Sequence, residues 1–98
     1  MAFNVLCKLE NYEARNHAPR TTKNGKPFRV LRVESPDASY TAELTVWDED
    51  MFPIVDALSK GDVCDFYCRA SAGSDYSGLT LLDLTNHGNG YVADGMEY

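Results

Sequence analysis

The side chains able to do chemistry in this 98-residue chain are of two kinds, flat aromatic rings and long cations. There are six Tyr, four Phe and one Trp, with nine Lys or Arg. A ring face stacks on other flat rings and attracts cations, while ammonium and guanidinium heads meet phosphate or carboxylate. Their spacing is more informative than their number. If Leu31 and Val33 point inward, period two turns Phe28, Val30 and Arg32 outward. The same alternation presents Thr45 and Trp47 on the next apolar stretch, Tyr67 and Arg69 on a later one, and Lys8 and Tyr12 near the start. A polar stretch supplies Arg15, Arg20, Lys23 and Lys26, and a Gly/Ser-rich one supplies Tyr76.

Catalytic and metal chemistry have no comparable residue set. Cys64 and Cys68 share one strand face about 13 Å apart, at about 3.3 Å per residue, too far to grip one zinc ion. His17 and His87 stand alone, and Cys7 has no base within its motif. Asp48-Glu49-Asp50 suits the positive end of a helix better than a cation site. No G-x-S-x-G, P-loop or H-E-x-x-H occurs. The expectation is a protein that is not an enzyme and uses no cofactor or metal.

These candidates need elements to hold them. Residues 2–12 alternate as a strand with Phe3, Val5, Cys7 and Leu9 inward, Leu6 breaking the pattern. Ala14 to Lys26 reads as a loop of about a dozen residues, closed by Asn24-Gly25. Pro27–Glu34 is a second strand. Tyr40–Trp47 is a third, with Tyr40, Ala42, Leu44 and Val46 inward. From Met51 the period changes: Phe52, Val55 and Leu58 lie three apart, between an acidic start and Lys60-Gly61, as in a short helix. Asp62–Ala70 and Leu79–Leu84 complete five strands, leaving residues 86–98 as a flexible tail behind a 1–85 domain. The order β-β-β-α-β-β is that of the OB-fold, an all-β five-stranded barrel with its helix between strands 3 and 4.

Charge first argues against a polyanionic partner, since the formal net charge is −6. The average hides a split. Up to Val33 seven basic residues face two acids, a net +5, and the rest carries two basic and thirteen acidic residues, a net −11. A local basic surface is therefore compatible with an acidic chain. Three cysteines, an odd number, are no disulfide framework, and no apolar run approaches 18 residues. The start, Met-Ala-Phe-Asn-Val, lacks a basic region followed by an apolar one, so a cytoplasmic location is expected.

The segment from Arg20 to Arg69 resembles the core of the bacterial and phage single-stranded DNA-binding proteins. Thr22-Lys23-Asn24-Gly25-Lys26 leads into strand 2, Val46-Trp47 ends strand 3, and Leu58-Ser59-Lys60-Gly61-Asp62 ends the helix. The resemblance implies DNA replication, a base stacked on Trp47 and assembly into a homo-oligomer. The Gly/Pro-rich linker of that family and its acidic tip ending in Pro-Phe are missing; Asp94-Gly95-Met96-Glu97-Tyr98 stands at the end.

Single strands are held by a basic groove along the phosphates and by aromatic faces under the bases. On this reading Trp47, Phe28, Tyr67 and Tyr76 stack, while Arg20, Lys23, Lys26, Arg29, Arg32 and Arg69 meet phosphates. Arg29 is the cation whose parity turns it inward. Glu43 and Asp65 oppose the reading, because they share faces with Trp47 and Tyr67. The partner is single-stranded DNA, with RNA not distinguished, and with little sequence preference. The competing reading is an OB-fold module that binds protein and no nucleic acid, for which −6 is natural.

Overall fold

The computed structural model describes residues 3–72 and 77–89. Five strands form a closed barrel in the spatial order β1-β2-β3-β5-β4: β1 (Phe3–Thr21), β2 (Pro27–Glu34), β3 (Thr41–Val46), β4 (Asp62–Ala72) and β5 (Ser77–Asn89). A 3₁₀ turn, Glu49–Met51, runs into the short helix α1, Phe52–Asp56, between β3 and β4. Neighbours pair antiparallel except β3 and β5, whose short parallel ladder (Leu44 opposite Leu79, Thr45 opposite Thr80) closes the barrel. This is the expected OB-fold.

The core follows the alternation on β2 to β5, whereas on β1 Val5, expected inward, is 52% exposed. Leu31 and Val33 on β2, Leu44 and Val46 on β3, Cys64, Phe66 and Cys68 on β4, and Leu81 on β5 are buried. Met51, Val55 and Leu58 bring the α1 region onto the same cluster, four and then three residues apart. Asp48 caps the turn by accepting from the Asp50 N–H at 3.0 Å. At the other end the buried Asp62 carboxylate accepts from Ser59 N–H at 2.9 Å, and Gly61 N–H donates to the Ala14 carbonyl at 2.8 Å. Gly61 has φ +100°, a conformation that favours glycine. The helix is shorter than the 3.6-residue pattern suggests because Gly61 and Asp62 are already committed to β1 and β4.

The largest difference from the sequence expectation is β1. The alternation fades after Tyr12, yet the strand continues to Thr21, and the connection shrinks to residues 22–26. Two irregularities hide the strand. At Asn11, φ +56°, the register against β4 shifts between Leu9 and Tyr12, flipping the parity so that Tyr12 packs on the core. A second shift between Ala14 and Asn16 occurs in the ladder with β2. These bulges let one strand pair with β4 through its first half and with β2 through its second. Tyr40 also departs from expectation: it precedes β3 and is 69% exposed. β5 continues past Leu84 to Asn89, and residues 90–98 of the expected tail lie outside the described residues.

Candidate nucleic-acid interface

Strand pairing decides which outward residues are neighbours. Val30 faces Thr45, Thr45 faces Thr80, Thr80 faces Arg69 and Arg69 faces Leu6. These five residues form a transverse row across β2, β3, β5, β4 and β1. Two residues along each strand lies a second row: Phe28, Trp47, Leu82, Tyr67 and Lys8. Lys8 sits opposite Tyr67, and Arg20 on the other half of β1 sits opposite Phe28. Leu82, next to the buried Leu81, is 37% exposed in this row, and β5 bulges there, Cys68 facing Leu81 but Tyr67 facing Asp83. The row thus carries cations at both ends and apolar or aromatic groups between.

Trp47 is its centre. It lies just beyond β3, 36% exposed, with its ring centroid 4.7 Å from that of Phe28 and the planes tilted by 32°. The Lys26 ammonium lies 5.1 Å from the Trp47 ring centroid. Lys26 is aimed there by the turn: Gly25, φ +87°, donates to the Thr22 carbonyl, and the Lys26 N–H donates to Thr22 Oγ1 at 3.0 Å. Only a residue tolerant of positive φ closes this turn cheaply, which is the physical content of Asn24-Gly25.

Three shallow concavities follow the row and share walls. The first is lined by Thr22, Asn24, Lys26 and Trp47; the second by Trp47, Asp48, Arg69, Thr80, Leu81 and Leu82. The third is lined by Leu6, Cys7, Lys8, Tyr67, Cys68 and Leu82. Trp47 divides the first from the second and Leu82 the second from the third, making one groove around the barrel.

The two opposing acids are each occupied. Glu43 pairs with Arg32 at 3.3 Å across the β2–β3 ladder. Asp65 accepts from the Asn11 N–H at 2.9 Å and lies 3.3 Å from His87 Nε2 and 3.7 Å from Lys8 Nζ. The Asn11 bond first, then His87 and Lys8, hold the Asp65 carboxyl below its ordinary range. Lys8 is held above its ordinary range chiefly by its bond to Glu10, 3.2 Å away, and its ammonium sits 5.6 Å from the Tyr67 ring centroid.

The remaining candidates divide by position. Arg20, Lys23 and Arg69 are exposed and, among the described residues, make no ion pair. Arg32 shares the outer face but is engaged by Glu43. Arg29 stands apart: its register partner Val46 is buried, so it points toward the α1 side of the barrel. There Nε and an Nη bind both oxygens of Asp56, at 2.9 and 3.1 Å, and the guanidinium lies 4.3 Å from the Phe52 centroid. Arg29 is thus a strut between barrel and helix rather than part of the groove. Arg15, on the strand, pairs with Glu13. Tyr76 lies outside the described residues.

Sequence reasoning missed Leu6, Leu82 and Thr80. Leu6 was visible as the one apolar residue on the wrong parity, and it is 75% exposed. Leu82 and Thr80 stand outward by alternation with the buried Leu81. Among the described residues no group of three or more His, Cys, Asp or Glu is placed to hold a metal ion, and no helix is long and apolar enough to cross a membrane.

No protein-family model and no curated protein sequence matches the chain. Solved structures do. The mitochondrial single-stranded DNA-binding protein Rim1 of S. cerevisiae superposes with a TM-score of 0.72 at 16% identity, over 88% of this chain and 98% of that one. A second crystal form gives 0.65 at 16% identity over 91% and 95%, and its selenomethionine-labelled counterpart gives 0.67 at 18% over 88% and 97%. At these identities the likeness is one of fold, and function rests on the groove.

Proposed function

We propose that this protein binds single-stranded DNA without catalysis and with little sequence preference, through the groove centred on Trp47. The observation that carries the reading is the continuity of that groove. The rings of Trp47 and Tyr67 and the cations Lys26, Arg69 and Lys8, distant in sequence, line adjoining concavities along one path over the barrel, with Lys26 and Arg69 outside any ion pair among the described residues. The structural neighbours, described as single-stranded DNA-binding proteins, support the same class of partner.

A base enters beside Trp47, whose ring is braced by Phe28, and every base has a flat face to offer, so sequence matters little. Arg20, Lys23 and Lys26 meet the flanking phosphates on one side and Arg69 on the other. Net charge −6 does not oppose this: the acid lining the groove, Asp48, accepts from the Asp50 N–H, and Glu43 and Asp65 on the outer face are paired with cationic or N–H groups. The test is titration with oligothymidine while following the fluorescence of Trp47, the one tryptophan of the chain. Quenching that weakens with added salt is expected. Absence of quenching, or affinity indifferent to salt, refutes the reading and favours the protein-binding module.

A further inference from the structure

Independently of any nucleic-acid partner, we propose that Cys7 and Cys68 form a dithiol modification site, which a low-molecular-weight disulfide oxidises to one cross-strand disulfide between β1 and β4. The two residues stand directly opposite each other in an antiparallel ladder that runs without a shift from Phe3 opposite Ala72 to Leu9 opposite Phe66. Both face inward: Cys68 is 1% exposed in the core, and Cys7 packs against the same cluster. Directly opposed residues in such a ladder have Cα atoms about 4.5 or 5.5 Å apart, and both distances fall within the roughly 4.4–6.8 Å that a disulfide spans. Their Cβ atoms, about 4.5–5.5 Å apart, must close by at most about 1 Å to reach disulfide geometry. On its other side β4 shifts register against β5 between Tyr67 and Cys68, so the ladder there is locally interrupted and gives more readily.

The third cysteine has no partner within reach. Cys64 lies four residues along β4 from Cys68, about 13 Å away, and stands opposite Tyr12 rather than Cys7. That exceeds the roughly 7 Å Cα separation beyond which no disulfide closes. All three cysteines are free thiols, and Cys7 and Cys68 line one concavity, Cys7 being the half-buried member. The Cys68 thiol is pushed up to about 12, first by burial and then by Cys7 beside it. Cys7 therefore reacts first. Its thiolate attacks one sulfur of oxidised glutathione, the glutathione S–S bond breaks, and one glutathione leaves as its thiol after taking a proton from water. Cys68 then loses its proton to solvent and attacks Cys7 Sγ, expelling the second glutathione. Two protein thiols are oxidised by two electrons, and one glutathione disulfide is reduced to two thiols. Scarcity of the Cys68 thiolate makes the second step slow. The new bond ties the strand that carries Lys8 to the one that carries Tyr67 and Arg69.

The test incubates the reduced full chain with oxidised glutathione at about pH 8 without denaturant, where a free thiol is partly ionised. The protein is then denatured, its remaining thiols are alkylated, and mass spectrometry counts and maps them. The expected result is loss of two of the three alkylatable thiols, a peptide joining Cys7 to Cys68, and Cys64 alone alkylated. Added reductant restores all three. The wild type decides by itself, and Cys7→Ala is the control, in which Cys64 and Cys68 both remain alkylatable. Three thiols still alkylated after prolonged incubation overturn the site. Glutathione held on Cys7 as a lasting mixed disulfide also overturns it, because Cys68 then does not reach Cys7. A disulfide that includes Cys64, or one that joins two chains, overturns it as well, since the ladder register permits only the one pairing within a chain.

Discussion

Replacing Trp47 with Ala removes the ring on which the first base rests, and the size of the loss follows from the structure. Stacking of one base on an aromatic residue contributes about 1–3 kcal/mol. At about 1.36 kcal/mol per factor of ten this is a roughly 5- to 160-fold weaker Kd. The fold should survive, because Trp47 lies past the end of β3, partly exposed, and its aromatic partner is the half-buried Phe28. Losing that ring pair costs about 0.5–1.5 kcal/mol of stability beyond area burial. The variant has no tryptophan, so binding is followed by anisotropy of a labelled oligothymidine at several salt concentrations. Trp47→Ala removes no charge, and the affinity must therefore drop by a similar factor at every salt while the salt slope stays constant. Trp47→Phe retains a stacking face and should recover most of the loss. A folded Trp47→Ala protein that binds within twofold of wild type would refute the stacking argument.

Arg20, Lys23, Lys26 and Arg69 together predict a log–log salt slope near −3, from about −0.7 per phosphate neutralised on a single strand; Lys26→Ala should make it shallower by about 0.7. Arg29→Met should lower stability without altering that slope, because Arg29 binds Asp56 outside the groove. The Arg29 guanidinium holds the Asp56 carboxyl below its ordinary value. The contribution is therefore complete above the unfolded carboxylate pKa near 4 and is lost as pH falls through the lowered folded value. Urea melts of wild type and variant should diverge at neutral pH and converge in acid, and a gap that persists in acid would refute the ion pair as its source. Burial pushes the Cys64 thiol up to about 11 and the Cys68 thiol up to about 12. Both should resist a thiol reagent at pH 8 until the protein is denatured, and rapid reaction of either in the native protein would contradict their placement in the core.

The physics of period two made much of the barrel legible in advance. The inward sets Leu31/Val33, Leu44/Val46 and Cys64/Phe66/Cys68 are buried as their alternation requires, and Asn24-Gly25 sits at the turn its backbone demands. Phe28, Trp47 and Tyr67 were placed outward by the same rule. Alternation fails where the backbone itself changes register. The bulge at Asn11 brings Tyr12 inward, and the one after Leu81 brings Leu84 inward, because an extra residue reverses every parity beyond it. The second half of β1 was unreadable for a different reason: it pairs through its backbone while carrying polar side chains, and only side chains leave a hydrophobic period.

Sequence by itself placed Phe28, Trp47, Tyr67, Arg32 and Arg69 on the outer face, since a strand offers only two, though it misplaced Tyr12 and Tyr40, and it located the basic half of an acidic chain before Val33. Neighbourhood was decided only in the tertiary structure. Trp47, Leu82 and Tyr67 come together through the β3–β5 parallel closure and the β4–β5 register, contacts between segments far apart in the chain that no local pattern encodes. Arg29 shares the inward parity of Leu31 and Val33, but only the packing of α1 against β2 supplies Asp56 as its partner, whereas Arg69 on β4 lies open on the groove. A parity is a property of one strand, whereas a binding surface is a property of five strands held in one register.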